Sequence, residues 1–212
     1  MRLDDATRKT KIYFQEKKSP TLNSYKCDEA TIENHTQKCI KYFRADRGGE
    51  FCSKEFISHQ DSKGTLHEYT VHDSPPQNGI SECGMRTCVE QAHALLILSG
   101  LPRYLWEEAM KHSAWLQNRT PTRALDGKTP YEMKTNKKPH LGGIKEFGAA
   151  AYVKDLHAGK LDACARVGQF VGYDSESKGY RIYWLDKKSV TVKWNVVFNE
   201  NDTTLEIGRA HV

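Results

Sequence analysis

The hydrophobic period of this 212-residue chain turns helical after residue 79 and β from Phe147, and that sequence of patterns constrains the fold more than any other feature. Met85, Cys88, Val89, Ala92, Leu95 and Leu96 fall at i, i+3, i+4, i+7, i+10 and i+11, which is one stripe of an amphipathic helix. Gly100 closes that helix and Pro102 opens the next, where Leu105, Ala109, His112 and Leu116 repeat at helical spacing. From Phe147 the pattern becomes β. Tyr152-Val153, Phe170-Val171, the alternating Tyr180/Ile182/Trp184 and the alternating Val190/Val192/Trp194/Val196 are separated by turns containing Gly or Lys. Short strands at that spacing predict a small barrel.

The first eighty residues read as mixed α/β. Lys11-Ile12-Tyr13-Phe14 reads as the end of a strand, and residues 17–37 are polar, with Pro20 counting against an early helix. Cys39 to Ala45 is strand-like and leads into Asp46, after which Gly48-Gly49 turns the chain. Ser53 is placed to cap a helix over 54–60 with Phe56 and Ile57 inward, and Leu66 to Val71 reads as a second buried strand. Pro75-Pro76-Gln77-Asn78-Gly79 reads as a loop, and Thr120 to Pro139 as a turn-rich linker.

Composition narrows the classes of function. No apolar run approaches the roughly 20 residues of a membrane span, and the N-terminus has no hydrophobic signal region, so the expected partners are not membranes. Cysteines 27, 39, 52, 83, 88 and 164 form no C-x-x-C pair and no zinc-ligand spacing, which favours reduced thiols. The net charge of +5 suits a nucleic-acid partner, but the positive charge is diffuse, so any phosphate-binding surface must be assembled by folding. The four tryptophans, 106, 115, 184 and 194, are read as core rather than as base-stacking platforms.

Thirty-five residues lie between Asp46 and Glu82. Both carboxylates stand near glycine turns on separate elements, and Glu82, three residues before Met85, is expected on the inward side of its helix, facing the strand that ends at Asp46. Two such carboxylates are candidate ligands for a two-metal site for phosphoryl transfer, in which cations about 3.5–4 Å apart activate the attacking oxygen and stabilise the leaving one. Taken singly, Asp46 is a common turn residue, and Glu82 a carboxylate favoured by a helix dipole.

Lys41-Tyr42-Phe43-Arg44-Ala45-Asp46-Arg47-Gly48-Gly49-Glu50-Phe51 and Pro75-Pro76-Gln77-Asn78-Gly79-Ile80-Ser81-Glu82 resemble the two segments that carry the second catalytic Asp and the catalytic Glu in the integrase of copia-type retrotransposon Pol polyproteins. Gly100-Leu101-Pro102, Asn118-Arg119-Thr120-Pro121-Thr122, Gly127-Lys128-Thr129-Pro130-Tyr131-Glu132, Phe170-Val171-Gly172-Tyr173 and Val196-Val197-Phe198 follow in that family's order, from about residue 3 to 202. The resemblance implies an α/β chain. An RNase H-like (retroviral integrase) core lacking its first strand would occupy 1–119, a linker 120–142, and a small SH3-like β-barrel 143–202, followed by a tail, 203–212, that matches no part of the family. It implies 3′-end processing and strand transfer in the intact parent, with Asp46 and Glu82 catalytic and holding Mg²⁺ or Mn²⁺. It also implies DNA as partner, homo-multimers among intact relatives, and a nuclear location alongside cytoplasmic virus-like particles. Gln77, Asn78 and Gly79 are expected to contact DNA. Arg47 and Arg86, beside the carboxylates, read equally as phosphate contacts or as solvated charge.

Three departures shape the expectation for this chain. The family's first Asp precedes the segment matched by Leu3 to Arg8, and neither Asp4 nor Asp5 takes its place. Cys83-Gly84-Met85 stands where the family carries basic and polar residues, and the family's zinc module and reverse transcriptase have no match. Ile207 to Val212 reads as an adapter scar. Removing one ligand from a site that acts as a unit abolishes turnover, so the chain is expected to be inactive. The alternatives are a domesticated, catalytically dead DNA-binding or protein-interaction module, and an unrelated nuclease with an RNase H-like core.

Overall fold

The computed structural model describes residues 1–15, 21–46, 48–69, 75–154 and 165–199, with the backbone alone at 75–78. In chain order the elements are β1 (Arg2–Leu3), β2 (Thr10–Lys11), α1 (Thr21–Thr36), β3 (Tyr42–Ala45), α2 (Lys54–Lys63), β4 (Leu66–Tyr69) and α3 (Pro75–Ser99). There follow α4 (Trp106–Gln117), α5 (Pro130–Thr135), β5 (Ala150–Lys154), β6 (Ala165–Tyr173), β7 (Tyr180–Trp184), β8 (Ser189–Lys193) and β9 (Val196–Phe198). The chain forms two compact units, one of residues Tyr13–Gly84 and one of Met1–Ile12 together with Met85–Val212.

In the Tyr13–Gly84 unit, β3 and β4 pair in parallel, from Tyr42 opposite Leu66 to Ala45 opposite Tyr69. Parallel neighbours need a crossover, and α2 supplies it. Ser53 caps α2 as expected, its Oγ accepting from the Phe56 amide at 3.3 Å, and Gly64 ends it in the left-handed conformation at φ 69°. Phe56 is fully buried, with the rings of Tyr25, Phe43 and Phe51 centred 5.1, 5.3 and 5.6 Å away.

Strand β4, expected to be buried, is exposed at Leu66 and half-buried beyond it, and two expectations about helices are also corrected in this stretch. The polar segment after Pro20 is a sixteen-residue helix, α1, whose buried residues are Tyr25, Asp28 and Glu29. Its inward face is mostly polar, so no hydrophobic period marks it, and a proline just ahead of a helix breaks nothing. Those polar groups are satisfied within the unit: His59 Nε2 meets Glu29 Oε2 at 2.6 Å, and the Tyr13 hydroxyl donates to Asp28. The second correction concerns Pro75 to Gly79, expected as a loop. These residues open α3, because proline's missing N–H is harmless in a first turn.

In the other unit, β5–β9 form an antiparallel sheet of order β8-β7-β6-β5-β9, in which the last of the four stretches expected, Val190 to Val196, is divided into β8 and β9. Ala151, Val153, Phe170, Ile182 and Trp184 fill its core. Gly168 permits close approach there, since a Cβ at that position would lie 2.4 Å from Ile182 Cγ2. The α3 stripe is buried at Cys88, Ala92 and Leu96, whereas Val89 is exposed. Of the tryptophans expected in the core, Trp184 is buried and Trp115 half-buried, but Trp106 and Trp194 are 51% and 77% exposed. Trp194 follows the last residue of β8, where the chain bends toward β9 and the alternation no longer sets the facing.

Helix α4 packs against β6. Its His112 is buried and ringed by Trp115, Phe147, Phe170 and Tyr173. Glu108 accepts a two-pronged contact from Arg181 of β7, Nε to Oε2 at 2.6 Å and Nη2 to Oε1 at 2.8 Å. Segment 120–142, expected as a linker, carries a 3-10 turn over Arg123–Leu125 and the helix α5, capped by Thr129. It is tied back by the Tyr131 amide, which donates to the Asn118 carbonyl at 2.8 Å.

Candidate metal and nucleic-acid site

Asp46 is the residue after β3 and is exposed. Its Oδ1 accepts from the Gly48 amide at 3.2 Å, the local turn in which Asp side chains mimic backbone. A Cβ at Gly48 would stand 3.1 Å from Asp46 Oδ1 and 3.1 Å from the Glu50 carboxyl carbon, so the turn folds the Glu50 carboxylate in beside that of Asp46. The reading of the sequence did not single out Glu50. Its two-residue offset from Gly48 in the Asp-Arg-Gly-Gly-Glu turn was the available signal.

Glu82 is the eighth residue of α3, and the structure leaves it exposed rather than inward-facing as expected. The stripe explains this: Met85 is itself only half-buried, and one turn earlier Ser81 is half-buried while Glu82 is exposed, so Glu82 falls on the wet edge of that face. Gly79 is half-buried and Arg86 exposed, both on α3. Gln77 and Asn78 have helical backbone, and Arg47 lies outside the described residues.

A two-cation site needs a set of convergent oxygen ligands. Among the described residues, no group of three or more His, Cys, Asp or Glu side chains could hold a metal ion. Asp46 Oδ1 already accepts a backbone hydrogen bond, and Glu82 is solvated. The described residues therefore do not fit the two-metal centre expected from the sequence, and no step through a metal follows from them.

The electrostatics are stronger elsewhere. Burial would raise the Glu108 carboxyl, but the Arg181 fork and Lys111 outweigh it and hold the group below its ordinary range. Burial pushes His112 down to about 4 and lowers His67 as well.

Residues 149–207 match the Retroviral polymerase SH3-like domain family, so the antiparallel sheet, read from its strands as a small barrel, is the SH3-like part that the resemblance implied. Over 202 residues, 94% of the chain, it is 35% identical to the Retrovirus-related Pol polyprotein from transposon TNT 1-94 of Nicotiana tabacum. The chain is related to retrovirus-type Pol polyproteins. A second such relative, from transposon RE1 of Arabidopsis thaliana, is 29% identical over 202 residues. The chain spans 15% of the first Pol relative's length and 14% of the second's. Among solved structures, the simian T-cell lymphotropic virus intasome in complex with the PP2A regulatory subunit B56 gamma aligns with 84% of this chain and 62% of its own, at 14% identity and a TM-score of 0.45. The HTLV-2 integrase catalytic core in complex with magnesium aligns with 57% and 71%, at 18% identity and a TM-score of 0.41. No helix among the described residues is long and apolar enough to cross a membrane.

Proposed function

We propose that this Pol-related chain is an integrase-derived segment of a copia-type element. In this reading the parent polyprotein processes and joins DNA ends, and the segment itself binds DNA without turning it over. The observation that carries the reading is the co-linear similarity to a transposon Pol polyprotein across 94% of the chain, which includes the Asp46 and Glu82 segments. The inactive reading is supported by the two carboxylates themselves: Asp46 Oδ1 is engaged by the Gly48 amide at 3.2 Å, and Glu82 is exposed on α3. The partner is element or target DNA, met in the nucleus, and intact relatives would act as multimers. Arg86, exposed on α3, is available to a phosphate.

The test is strand transfer on a labelled oligonucleotide duplex with Mg²⁺ or Mn²⁺, run beside Asp46→Asn and Glu82→Gln, with binding followed in parallel. The expected result is duplex binding by all three proteins and joining by none. Joining that both substitutions abolish would overturn the inactive reading and require a third carboxylate from elsewhere. The domesticated, catalytically dead module is favoured over a mere remnant by one feature, Cys83-Gly84-Met85 after Glu82.

A further inference from the structure

In the unit that contains both chain ends of the sheet domain, four cations gather around one hydrogen-bonded node. The Asn118 side chain grips β2 at Thr10, its Oδ1 accepting from the Thr10 amide at 2.9 Å and its Nδ2 donating to the Thr10 carbonyl at 2.8 Å. Lys9 and Lys11 flank that residue. The Asn118 carbonyl accepts from the amide of Tyr131 on α5, and Lys134 lies one turn further along the same helix face. Arg119 follows Asn118, with its guanidinium carbon 3.6 Å from the Trp115 ring centre and 4.9 Å from that of Tyr131. The two rings, and the Trp115 carbonyl that accepts from Nη1 at 3.1 Å, hold the guanidinium in place.

This geometry sets positive charges against one another. Burial lowers Lys9 to about 8, helped by contact with Lys134 and by the charges of Lys11 and Arg119. Lys11 of β2, Arg119 just past α4 and Lys134 of α5 each act on Lys9 as a like charge. Neither Lys9 nor Lys134 has a carboxylate partner among the described residues, although Arg8 next door pairs with Asp5 at 2.9 Å and Arg181 with Glu108. A half-buried ammonium with cations on three neighbouring segments favours an anion at this place.

We propose that Lys9, Lys11, Arg119 and Lys134 form a phosphate-binding cluster that takes the backbone of duplex DNA. The cluster uses none of the residues in the Asp46 and Glu82 segments, so it goes beyond the function proposed above; only the choice of DNA over another polyanion rests on that reading. Several cations fixed on rigid elements suit successive backbone phosphates.

The test is fluorescence anisotropy of the full chain with a labelled duplex in EDTA, across a salt series, comparing the parent protein with a Lys9→Gln/Lys134→Gln variant. The variant should bind about tenfold or more weakly at 0.1 M salt, with the slope of log K against log salt shallower by roughly 2, the signature of two lost phosphate contacts. Its Tm should hold or rise, because the substitutions relieve repulsion. Parent binding should also weaken as pH rises through about 8, where Lys9 loses its proton. Unchanged affinity and slope would overturn the proposal, as would weaker binding accompanied by a falling Tm, which marks a structural role. Phosphatidylserine vesicles and inorganic phosphate serve as competing probes. Tighter capture by vesicles than by duplex overturns the assignment to DNA. Absence of strand transfer leaves it standing.

Discussion

His112 shows how one side chain can set the acid stability of its unit. It is 3% exposed, its Nδ1 has no hydrogen-bond partner among the described residues, and the four rings around it are centred 5.5–6.0 Å away. Its folded pKa of about 4 lies below the unfolded value of 6.5, so the unfolded chain binds the extra proton first. The resulting stability is fully present above pH 6.5 and is lost as pH falls toward 4, on the order of 3 kcal/mol across that window. Thermal unfolding at pH 7, 5.5 and 4.5 should show a falling Tm that His112→Phe flattens. Glu108 makes a second prediction at this scale. Its side chain is 10% exposed and held by Arg181, so Glu108→Ala leaves the half-buried guanidinium with Asp174 alone, 3.4 Å from Nη1, and should cost about 2 kcal/mol in urea unfolding. A loss below about 1 kcal/mol would mark the pair as an ordinary surface bridge.

At the scale of elements, α2 shows agreement between local signals and fold. Ser53, Gly64 and the inward Phe56 each mark what they do, and Ser53→Ala should cost about 1 kcal/mol by denaturant titration. Phe56→Ala should cost about 3–5 kcal/mol, read the same way. The sheet was legible from short apolar and aromatic stretches set between turns, although burial along β7 runs unbroken from Ile182 to Trp184 rather than alternating. Helix α1 was illegible because Asp28 and Glu29 occupy positions where apolar residues would have marked the period, and their partners, Tyr13 and His59, are distant in sequence. Trp194 misled because the alternation of β8 was carried through a bend. The candidate site was half legible. Asp46 stands at the strand end where its Gly-Gly turn placed it, but the side of α3 that Glu82 occupies depends on where the buried stripe stops, and the sequence does not mark that margin.

At the scale of the whole molecule, one unit is continuous in sequence and the other is not: residues 1–12 belong with 85–212, and 13–84 stand between them. The clasp that closes the discontinuous unit is Asn118 on Thr10, two hydrogen bonds spanning 108 positions. Asn118→Ala leaves both Thr10 backbone groups without that partner and should cost about 2–3 kcal/mol, measured as a lowered Tm of the full chain. That clasp also sets a schedule for synthesis. The first hairpin leaves the ribosome early, but its partner is made 108 residues later, about 5–20 s afterwards at ordinary elongation rates. The intervening unit, whose own contacts are nearer in sequence, can condense during that wait. A nascent chain arrested before residue 118 therefore presents an unclasped N-terminal segment to chaperones and proteases, and one arrested well past it does not.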